Sequence, residues 1–346
     1  GLQWGDSNTG QEIPTQEFEE HLGPPAAGTP GADDSALKAW GVSTGSPSIV
    51  IGETDTGVDY EHPDLVGNIW SNPGGIGGCE AGTHGYNVVF IVHTCNPMDD
   101  DETKYHGHGT HVAGIMGAVG NNGVGVAGMN WHTTILPVKW LNSKTEGTTS
   151  ALIEALDWLL KAKTEHAVNI RVVNDSATFK GDVYSQPLSE AIQALGAAGI
   201  LFVTAAGNTG EDNGKVPRYP CDYDLPTEIC VTATNNKDEL PSWANYGSTT
   251  VNLAAPGVSI YSTLREGNYG NLSGGSMAAA QVSGAAALIL SVAPSLSPQE
   301  LKADIVANVD PLSSLAGKVI SGGRLDVCKA MPGCPVVPPA PPPSPV

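Results

Sequence analysis

Short apolar segments rich in β-branched residues alternate along this chain with longer segments of helical character. Strands that alternate with helices indicate βαβ units, and uninterrupted apolar strands indicate a sheet covered on both faces. The sequence therefore predicts an α/β fold with a mainly parallel sheet of roughly seven strands. The predicted strands are 48–54, 88–92, 134–139, 170–174, 200–205, 229–233 and 251–255, and the predicted helices are 108–119, 148–164, 186–196, 276–292 and 297–307.

The two ends of the chain lack this alternation. Residues 1–35 are polar and irregular, and we expect them to wrap the surface as an N-terminal extension of one folded domain, 1–334. Residues 335–346 (PVVPPAPPPSPV) are proline-rich, which favours an extended polyproline II tail or linker. The chain begins at Gly1 with no signal-peptide segment, so we expect a processed form.

The charge of the chain narrows the classes of partner. It has 36 acidic and 16 basic residues and a formal net charge of −20. Nucleic-acid binding needs clustered Lys and Arg, so no nucleic acid is expected. No segment reaches the roughly 18 uninterrupted apolar residues of a membrane helix, so no membrane span is expected. An acidic surface suits a soluble exported protein, either as a cation-binding surface or simply as a solvated one.

The six cysteines bear on the compartment. The chain has no CxxC pair, which argues against zinc and thioredoxin-like sites. Sequence alone does not choose among the pairings. We take nearest-neighbour disulfides as the working interpretation, and buried free thiols as the alternative. Disulfides indicate an oxidising compartment, so we expect a secreted, extracellular protein. The cysteines are Cys79, Cys95, Cys221, Cys230, Cys328 and Cys334.

Four polar residues stand where predicted strands end or helices begin. Asp55 and Asn208 each follow an apolar strand, at the edge where open α/β sheets place ligands. His108 and Ser276 are flanked by glycine at predicted helix starts. Taken singly, each has an ordinary interpretation as a turn residue or helix N-cap. His106, His108 and His111 lack the HExxH spacing, so a zinc site is weakly indicated.

Together these residues carry a resemblance. Their blocks are DTGVD, HGTHVAG, AAGN and GGSMAAA, and Asp, His and Ser occur in one of the known orders of a catalytic triad. Over roughly 36–310 the chain resembles the subtilisin-like serine proteases (subtilases), and its start resembles bacterial exported members. The resemblance implies a subtilisin-like three-layer sandwich and a secreted serine endopeptidase. Implied partners are extended polypeptide substrates and an N-terminal propeptide or protein inhibitor, and the implied state is a monomer.

The resemblance also implies a role for each residue. Ser276 Oγ is the nucleophile, His108 the general base and Asp55 the group that orients His108. The Asn208 amide and the Ser276 backbone N–H would stabilise the oxyanion. One wall of the substrate cleft would be 174–178, which pairs with an extended substrate. The implied substrate-binding residues are Ser176, Ala177, Thr178, Ala205, Ala206, Gly207 and Arg218.

The serine block departs from the family pattern GTSMAxPxVAG. Gly275 replaces Thr, Ala280 replaces Pro and Gln281 replaces His. A shifted Ser276 could change how water competes with an amine for the acyl-enzyme, so a peptide ligase or transpeptidase is the alternative enzyme. Thr178 in place of Gly would narrow the cleft. An inactive binding module with the same fold is the non-enzyme alternative.

Arg218 carries a specificity hypothesis. It falls near the floor of the pocket for the residue before the scissile bond, where it would favour an acidic or polar side chain. The alternative is a surface arginine that reaches solvent or pairs with Asp222.

Calcium is the expected cofactor, in a structural role. The loop 121–128 (NNGVGVAG) resembles the family's strong calcium site, and hard oxygen ligands suit Ca²⁺. A second hypothesis is a site at Asp99, Asp100 and Asp101, with a solvated loop as the alternative. The ligands implied for the first site are Asp64, Asn122, the carbonyls of Gly120, Val124 and Val126, and Gln3.

Overall fold

Strands and helices alternate through most of the chain in the computed structural model, which describes residues 2–16, 22–91, 93–179 and 183–335. The strands are β1 (Glu12–Gln16), β2 (Leu22–Ala27), β3 (Gly45–Asp55), β4 (Tyr86–Asn87), β5 (His132–Lys139), β6 (Ile170–Asp175), β7 (Leu201–Ala205), β8 (Glu228–Thr234), β9 (Leu253–Pro256), β10 (Ile260–Leu264), β11 (Asn268–Leu272), β12 (Asp310–Pro311) and β13 (Gly323–Arg324). The helices are α1 (Ala36–Ala39), α2 (His108–Gly117), α3 (Thr149–His166), α4 (Gln186–Ala197), α5 (Gly275–Val292), α6 (Pro298–Ala307) and α7 (Val327–Ala330).

Nine of these strands form one sheet, in the order β12-β13-β9-β8-β7-β6-β3-β5-β4. All neighbours are parallel except β12 and β13, which are antiparallel. The α/β prediction is confirmed: six of the seven expected strands lie in this sheet, and the short strands β4, β12 and β13 complete it. Because the central strands are parallel, β3, β6 and β7 end at the same edge.

One predicted strand is wrong. Within 88–92, residues Val89–Ile91 form a 3₁₀ turn, and residue 92 lies outside the described residues. Phe90 has a φ of 54°, which an extended strand does not accommodate. Pairing with β5 stops at β4, just before this turn.

Helices cover both faces of the sheet. One apolar cluster joins the sheet to α2 and α5, and a second joins it to α3 and α4. The capping box of Ser297 and Glu300 begins α6 as predicted. Within the described residues, α5 is the one helix long and apolar enough to cross a membrane, and 89% of that window is buried inside the protein. Its apolar character is therefore that of a core helix.

The N-terminal segment is more ordered than predicted. Strands β1 and β2 form an antiparallel hairpin, which the polar sequence of 1–35 does not signal. Trp4 is fully buried in the core beneath α2 and α5, and its indole N–H donates to the carbonyl of Val258 at 2.9 Å. A large apolar side chain thus anchors this segment.

The cysteines pair as nearest neighbours. The disulfides are Cys79–Cys95, Cys221–Cys230 and Cys328–Cys334, which confirms the working interpretation. The described cysteines include no free thiol. Each bridge closes a local loop, of 16, 9 and 6 residues, rather than joining distant elements.

Candidate active site

Asp55 and His108 form a hydrogen-bonded pair at the carboxyl edge of the sheet. Asp55 is the last residue of β3 and is 1% exposed, while His108 is the first residue of α2. His108 Nδ1 lies 2.8 Å from Asp55 Oδ1 and 2.9 Å from Oδ2. The backbone N–H of Thr56 donates to the same Oδ1 at 2.7 Å. The carboxylate is therefore oriented by both the ring and its own turn.

Neighbouring carboxyls hold the start of α2. Its N-cap residue is Gly107, which has no side chain to cap the helix. Asp101 Oδ2 accepts the N–H groups of Gly107 and His108, at 3.2 and 3.1 Å. Asp99 Oδ2 accepts from the N–H and hydroxyl of Thr110, at 3.1 and 2.6 Å. These bonds satisfy backbone donors that the helix leaves open.

These contacts argue against a second calcium site. Asp100 instead forms an ion pair with Lys139 at 2.7 Å, so Asp99, Asp100 and Asp101 have three different sets of partners. The described residues contain no group of three or more His, Cys, Asp or Glu that could hold a metal. The structure does not bring the three carboxyls together, because two of them cap α2.

The electrostatics of the pair favour a basic imidazole. Burial lowers the pKa of His108, but the Asp55 carboxylate and its hydrogen bond outweigh burial, and the net pKa is raised. Burial raises the pKa of Asp99 to about 6, against the effect of its bonds to Thr110. Burial lowers the pKa of His111 to about 3, so that histidine stays neutral.

Ser276 lies in the first turn of α5, beside the end of β6. It is 6% exposed, and its hydroxyl donates to the carbonyl of Ser176 at 2.9 Å. In return the Ser176 hydroxyl donates to the carbonyl of Ser276 at 3.0 Å. These reciprocal bonds join the predicted nucleophile to the predicted cleft wall.

Asn208 contacts the serine block through Gly275. The N–H of Gly275 donates to Asn208 Oδ1 at 2.8 Å. Because the amide oxygen accepts this bond, its NH₂ group remains the donor end of the side chain. Gly275 begins α5, and Ala280 and Gln281 are buried within it, so the three departures from the family pattern leave Ser276 in the first turn of a continuous helix.

The other predicted cleft residues lie at the same edge. Residues 176–178 follow β6 without regular structure, and Ala206, Gly207 and Asn208 follow β7. Arg218 contacts other groups than the hypothesis requires. Its guanidinium forms an ion pair with Glu211, and its backbone N–H donates to Asp222. The Arg218 side chain is therefore paired, but with Glu211 rather than with the predicted Asp222.

Comparison with known proteins gives the site a family. The model of the subtilase family matches residues 46–321, most of the chain. The chain belongs to the subtilase family. Thermitase from Thermoactinomyces vulgaris is 34% identical over 296 residues, which are 86% of this chain and 92% of thermitase.

More distant relatives agree with this assignment. Subtilisin-like protease 1 of Plasmodium berghei is 32% identical over 302 residues, 80% of this subtilase. The match spans 48% of that relative, so this subtilase covers about half its length. A protease structure from Pseudoalteromonas arctica has a TM-score of 0.74 and 26% identity, and the match covers 86% of this chain and 93% of that one.

Of the predicted calcium ligands of the subtilase, Asn122 contacts Asp64 directly. The Asp64 carboxylate is fully buried, and it accepts hydrogen bonds from three neutral groups, those of Asn122, Val126 and Tyr269. Asn122 Nδ2 lies 2.6 Å from Oδ1, and the N–H of Val126 donates to Oδ2 at 2.8 Å. The Gln3 side chain reaches the same loop, bonding both the N–H and the carbonyl of Ala127. This buried carboxylate has no cationic partner among the described contacts, so a bound cation would compensate its charge. The Asn122 and Gln3 amides carry neutral oxygens of the kind that calcium prefers.

Sequence reasoning missed the capping role of Asp101 and the burial of Glu53. Asp101 caps α2 from seven residues before His108, a spacing that matches no local capping pattern. Glu53 is buried on β3 and breaks the apolar run, and that break was the available signal.

Proposed function

We propose that this subtilase is a secreted serine endopeptidase that cleaves extended polypeptides through an acyl-enzyme on Ser276. The observation that carries the proposal is the Asp55–His108 hydrogen bond at the sheet edge where α5 presents Ser276. The two carboxylate oxygens of Asp55 lie 2.8 and 2.9 Å from His108 Nδ1. They hold the imidazole in one tautomer, with Nε2 free to accept a proton.

The chemical step follows from this arrangement. The Ser276 hydroxyl turns from the Ser176 carbonyl, gives its proton to His108 Nε2 and attacks the substrate carbonyl. The protonated imidazole then donates to the leaving amine as the peptide C–N bond breaks. Water attacks the ester in the same way and releases the acid. Asp55 stabilises the imidazolium in both steps.

Oxyanion stabilisation is assigned to two donors. Asn208 supplies its NH₂ group, because Gly275 occupies the amide oxygen. The Ser276 backbone N–H, in the first turn of α5, adds the positive end of the helix dipole. Donors that are fixed before the reaction stabilise developing charge without reorganisation.

Substrate binding is assigned to the open backbone after β6 and β7. Residues 176–178 have no strand partner in the described structure, so an extended peptide can pair there. Thr178 and Ala177 would line one side, and Ala205, Ala206 and Gly207 the other. Arg218 would influence the pocket only by exchanging Glu211 for an acidic substrate side chain.

Structural calcium is proposed at Asp64, with Asn122, Gln3 and the carbonyls of Gly120, Val124 and Val126. When bound, the ion would neutralise the buried carboxylate and tie the N-terminal segment to the loop. We expect EDTA to lower the melting temperature, and excess Ca²⁺ to restore it. Asp64→Asn should lose most of this response. If EDTA did not change the melting temperature of the wild type, the proposed calcium site would be contradicted.

The compartment and partners complete the proposal. Three disulfides suit an oxidising, extracellular environment. Export of an active peptidase requires inhibition before release, so we propose an N-terminal propeptide or a protein inhibitor as partner. We propose a monomer.

The test combines labelling with product analysis. A fluorophosphonate probe should label the wild type at Ser276, and the Ser276→Ala variant should remain unlabelled and inactive. Hydrolysis products should dominate even when an amine nucleophile is added. Absence of labelling would support the binding module instead, and dominant aminolysis would support the ligase.

A further inference from the structure

Glu53 is a buried carboxyl group that the proposed reaction does not use. It lies on β3 two residues before Asp55 and is 1% exposed. Within the described residues, neither of its oxygens has a hydrogen-bond partner. Buried carboxyls normally have partners, because burial without them costs free energy.

The position of Glu53 connects the core to the candidate triad. Side chains two apart on a strand leave the same face, so Ile51, Glu53 and Asp55 point the same way. Ile51 belongs to the apolar cluster beneath α2 and α5, and Asp55 holds His108. Glu53 therefore stands between an apolar core and the charged pair.

The ionisable groups around Glu53 are mostly acidic or neutral. Helix α5 contributes none, since Gly275–Val292 contains no ionisable residue. The strand neighbours directly opposite Glu53 are Pro137 and Asn174, which are uncharged. The ionisable groups on the surrounding elements are Asp55 on β3, Asp99 before α2, His108 and His111 on α2, Lys139 at the end of β5 and Asp175 at the end of β6.

These surroundings keep Glu53 protonated. Burial raises the pKa of Glu53 well above its ordinary value, and the Asp55 and Asp99 carboxyls raise it further. Lys139 does not compensate, because its ammonium bonds Asp100 and the carbonyls of Thr56 and Leu141. Of the two carboxyls on this face of β3, Asp55 is hydrogen-bonded to His108, whereas Glu53 has no partner within the described residues and its charged form is disfavoured.

We propose that Glu53 is a positioning residue for the Asp55–His108 pair, neutral while the enzyme works, and that its ionisation at alkaline pH ends activity. A second negative charge beside Asp55 would repel that carboxylate and disturb its hydrogen bond to His108, so the imidazole would lose the orientation that a general base needs. The inference rests on the proposed function, since it assigns His108 as the base.

The sign of the stability effect follows from the direction of the shift. A carboxyl whose pKa is higher in the folded than in the unfolded state binds more protons when folded. Its contribution is therefore fully present below the unfolded pKa and is lost as pH rises through the folded pKa. Glu53→Gln keeps the shape and cannot ionise, so it should lose stability less steeply on the alkaline side.

The matched control is Glu228, the first residue of β8. It is also 1% exposed, has one unpartnered oxygen within the described structure, and has a pKa raised by burial. It lies at the amino end of its strand, opposite the edge that carries the candidate triad. Glu228→Gln should change stability but not the pH profile of catalysis.

The test is the pH dependence of kcat/KM for the wild type, E53Q and E228Q on one peptide substrate. We expect E53Q to match the wild type within about twofold near neutral pH. The alkaline limb of its kcat/KM profile should move to higher pH by about one unit or more. The alkaline limb of E228Q should coincide with that of the wild type. In wild-type NMR spectra, the His108 Nδ1–H resonance should change at the alkaline midpoint, and in E53Q it should not.

The inference would be overturned if the alkaline limbs of kcat/KM coincided for E53Q and the wild type. A reduction of kcat/KM in E53Q by the same factor at every pH would also overturn it. If E53Q does not fold, the His108 Nδ1–H resonance of the wild type provides the test. A resonance that does not change through the alkaline midpoint of kcat/KM would overturn the inference. A wild type that neither labels with fluorophosphonate nor cleaves peptide would overturn the proposed function itself.

Discussion

The two halves of the candidate active site are held in different ways. Asp55 and His108 are joined side chain to side chain, by contacts of 2.8 and 2.9 Å. Ser276 and Asn208 are instead tied to backbone, through the Ser176 carbonyl and the Gly275 N–H. The fold thus assembles the Asp55–His108 half, whereas Ser276, the proposed nucleophile, would have to exchange one hydrogen bond before it could react.

The difference has a structural cause. Asp55 ends a strand whose last seven residues are buried, His108 begins a helix whose remaining residues are buried, and Asp101 fixes the start of that helix. Ser276 also begins a buried helix, but its hydroxyl can rotate about a single bond. The backbone and the Asp55 carboxylate are therefore fixed in place, whereas the Ser276 hydroxyl can change its orientation.

The largest effect on kcat is expected from a substitution in the Asp55–His108 half of the site. Asp55→Asn should lower kcat by about 10⁴-fold, a magnitude known for triad aspartates including that of subtilisin. Because Asp55 is what raises the pKa of His108, the acid limb of the residual activity should move to lower pH. A pH–rate series measures both effects. An acid limb that stays in place would show that Asp55 does not set the basicity of His108.

A smaller effect is expected in the serine half. Asn208→Ala should lower kcat by about 10²- to 10³-fold with little change in KM, the size known for the subtilisin donor. Asn208→Asp keeps the oxygen that accepts from the Gly275 N–H but removes the NH₂ donor, so it should lower kcat as much as Asn208→Ala does. If Asn208→Asp kept wild-type turnover, the amide would be a structural link and not an oxyanion donor.

The smallest effect concerns the residue before the nucleophile. A Cβ at Gly275 would lie 3.3 Å from Ala205 Cβ and 3.4 Å from Asn208 Oδ1, which small shifts can relieve. Gly275→Ala should change kcat less than about tenfold and raise the unfolding free energy by up to about 1 kcal/mol, because alanine loses less entropy in a helix. Thermal melting and steady-state kinetics measure the two effects.

Gly207→Ala provides the contrast for that measurement. Gly207 has a φ of 112°, and its Cβ would lie 2.7 Å from Asn245 Nδ2, so alanine should destabilise the fold. Equal destabilisation at Gly275 would mean that the serine loop tolerates no side chain there.

Prediction from sequence succeeded where residues act locally. The α5 sequence is apolar on all sides, so it had to be a core helix, and the capping box predicted the start of α6. It failed at 88–92, where apolar composition suits a strand but the chain turns at Phe90. It also missed the hairpins β1–β2 and β10–β11, whose pairing depends on partners that no local pattern identifies.

The same division holds within the site. The resemblance of four blocks, in chain order, to those of the subtilases was enough to predict Asp55, His108, Asn208 and Ser276. The structure places each of them at a strand end, just after one, or at a helix start. Asp99 and Asp101 were predicted as metal ligands because adjacent carboxyls repel, and sequence does not show that backbone N–H groups of α2 satisfy them.

By itself, the sequence determined most of the element types and the mainly parallel sheet, and it supplied the candidate reacting groups, because periodicity and residue chemistry are local properties. Only the tertiary structure decided that Glu53 is buried without a partner next to Asp55, that Arg218 pairs with Glu211, and that Ser276 donates to Ser176. The physical reason is that burial and hydrogen-bond partnership depend on which distant segments pack together, and that packing sets the charge of each group.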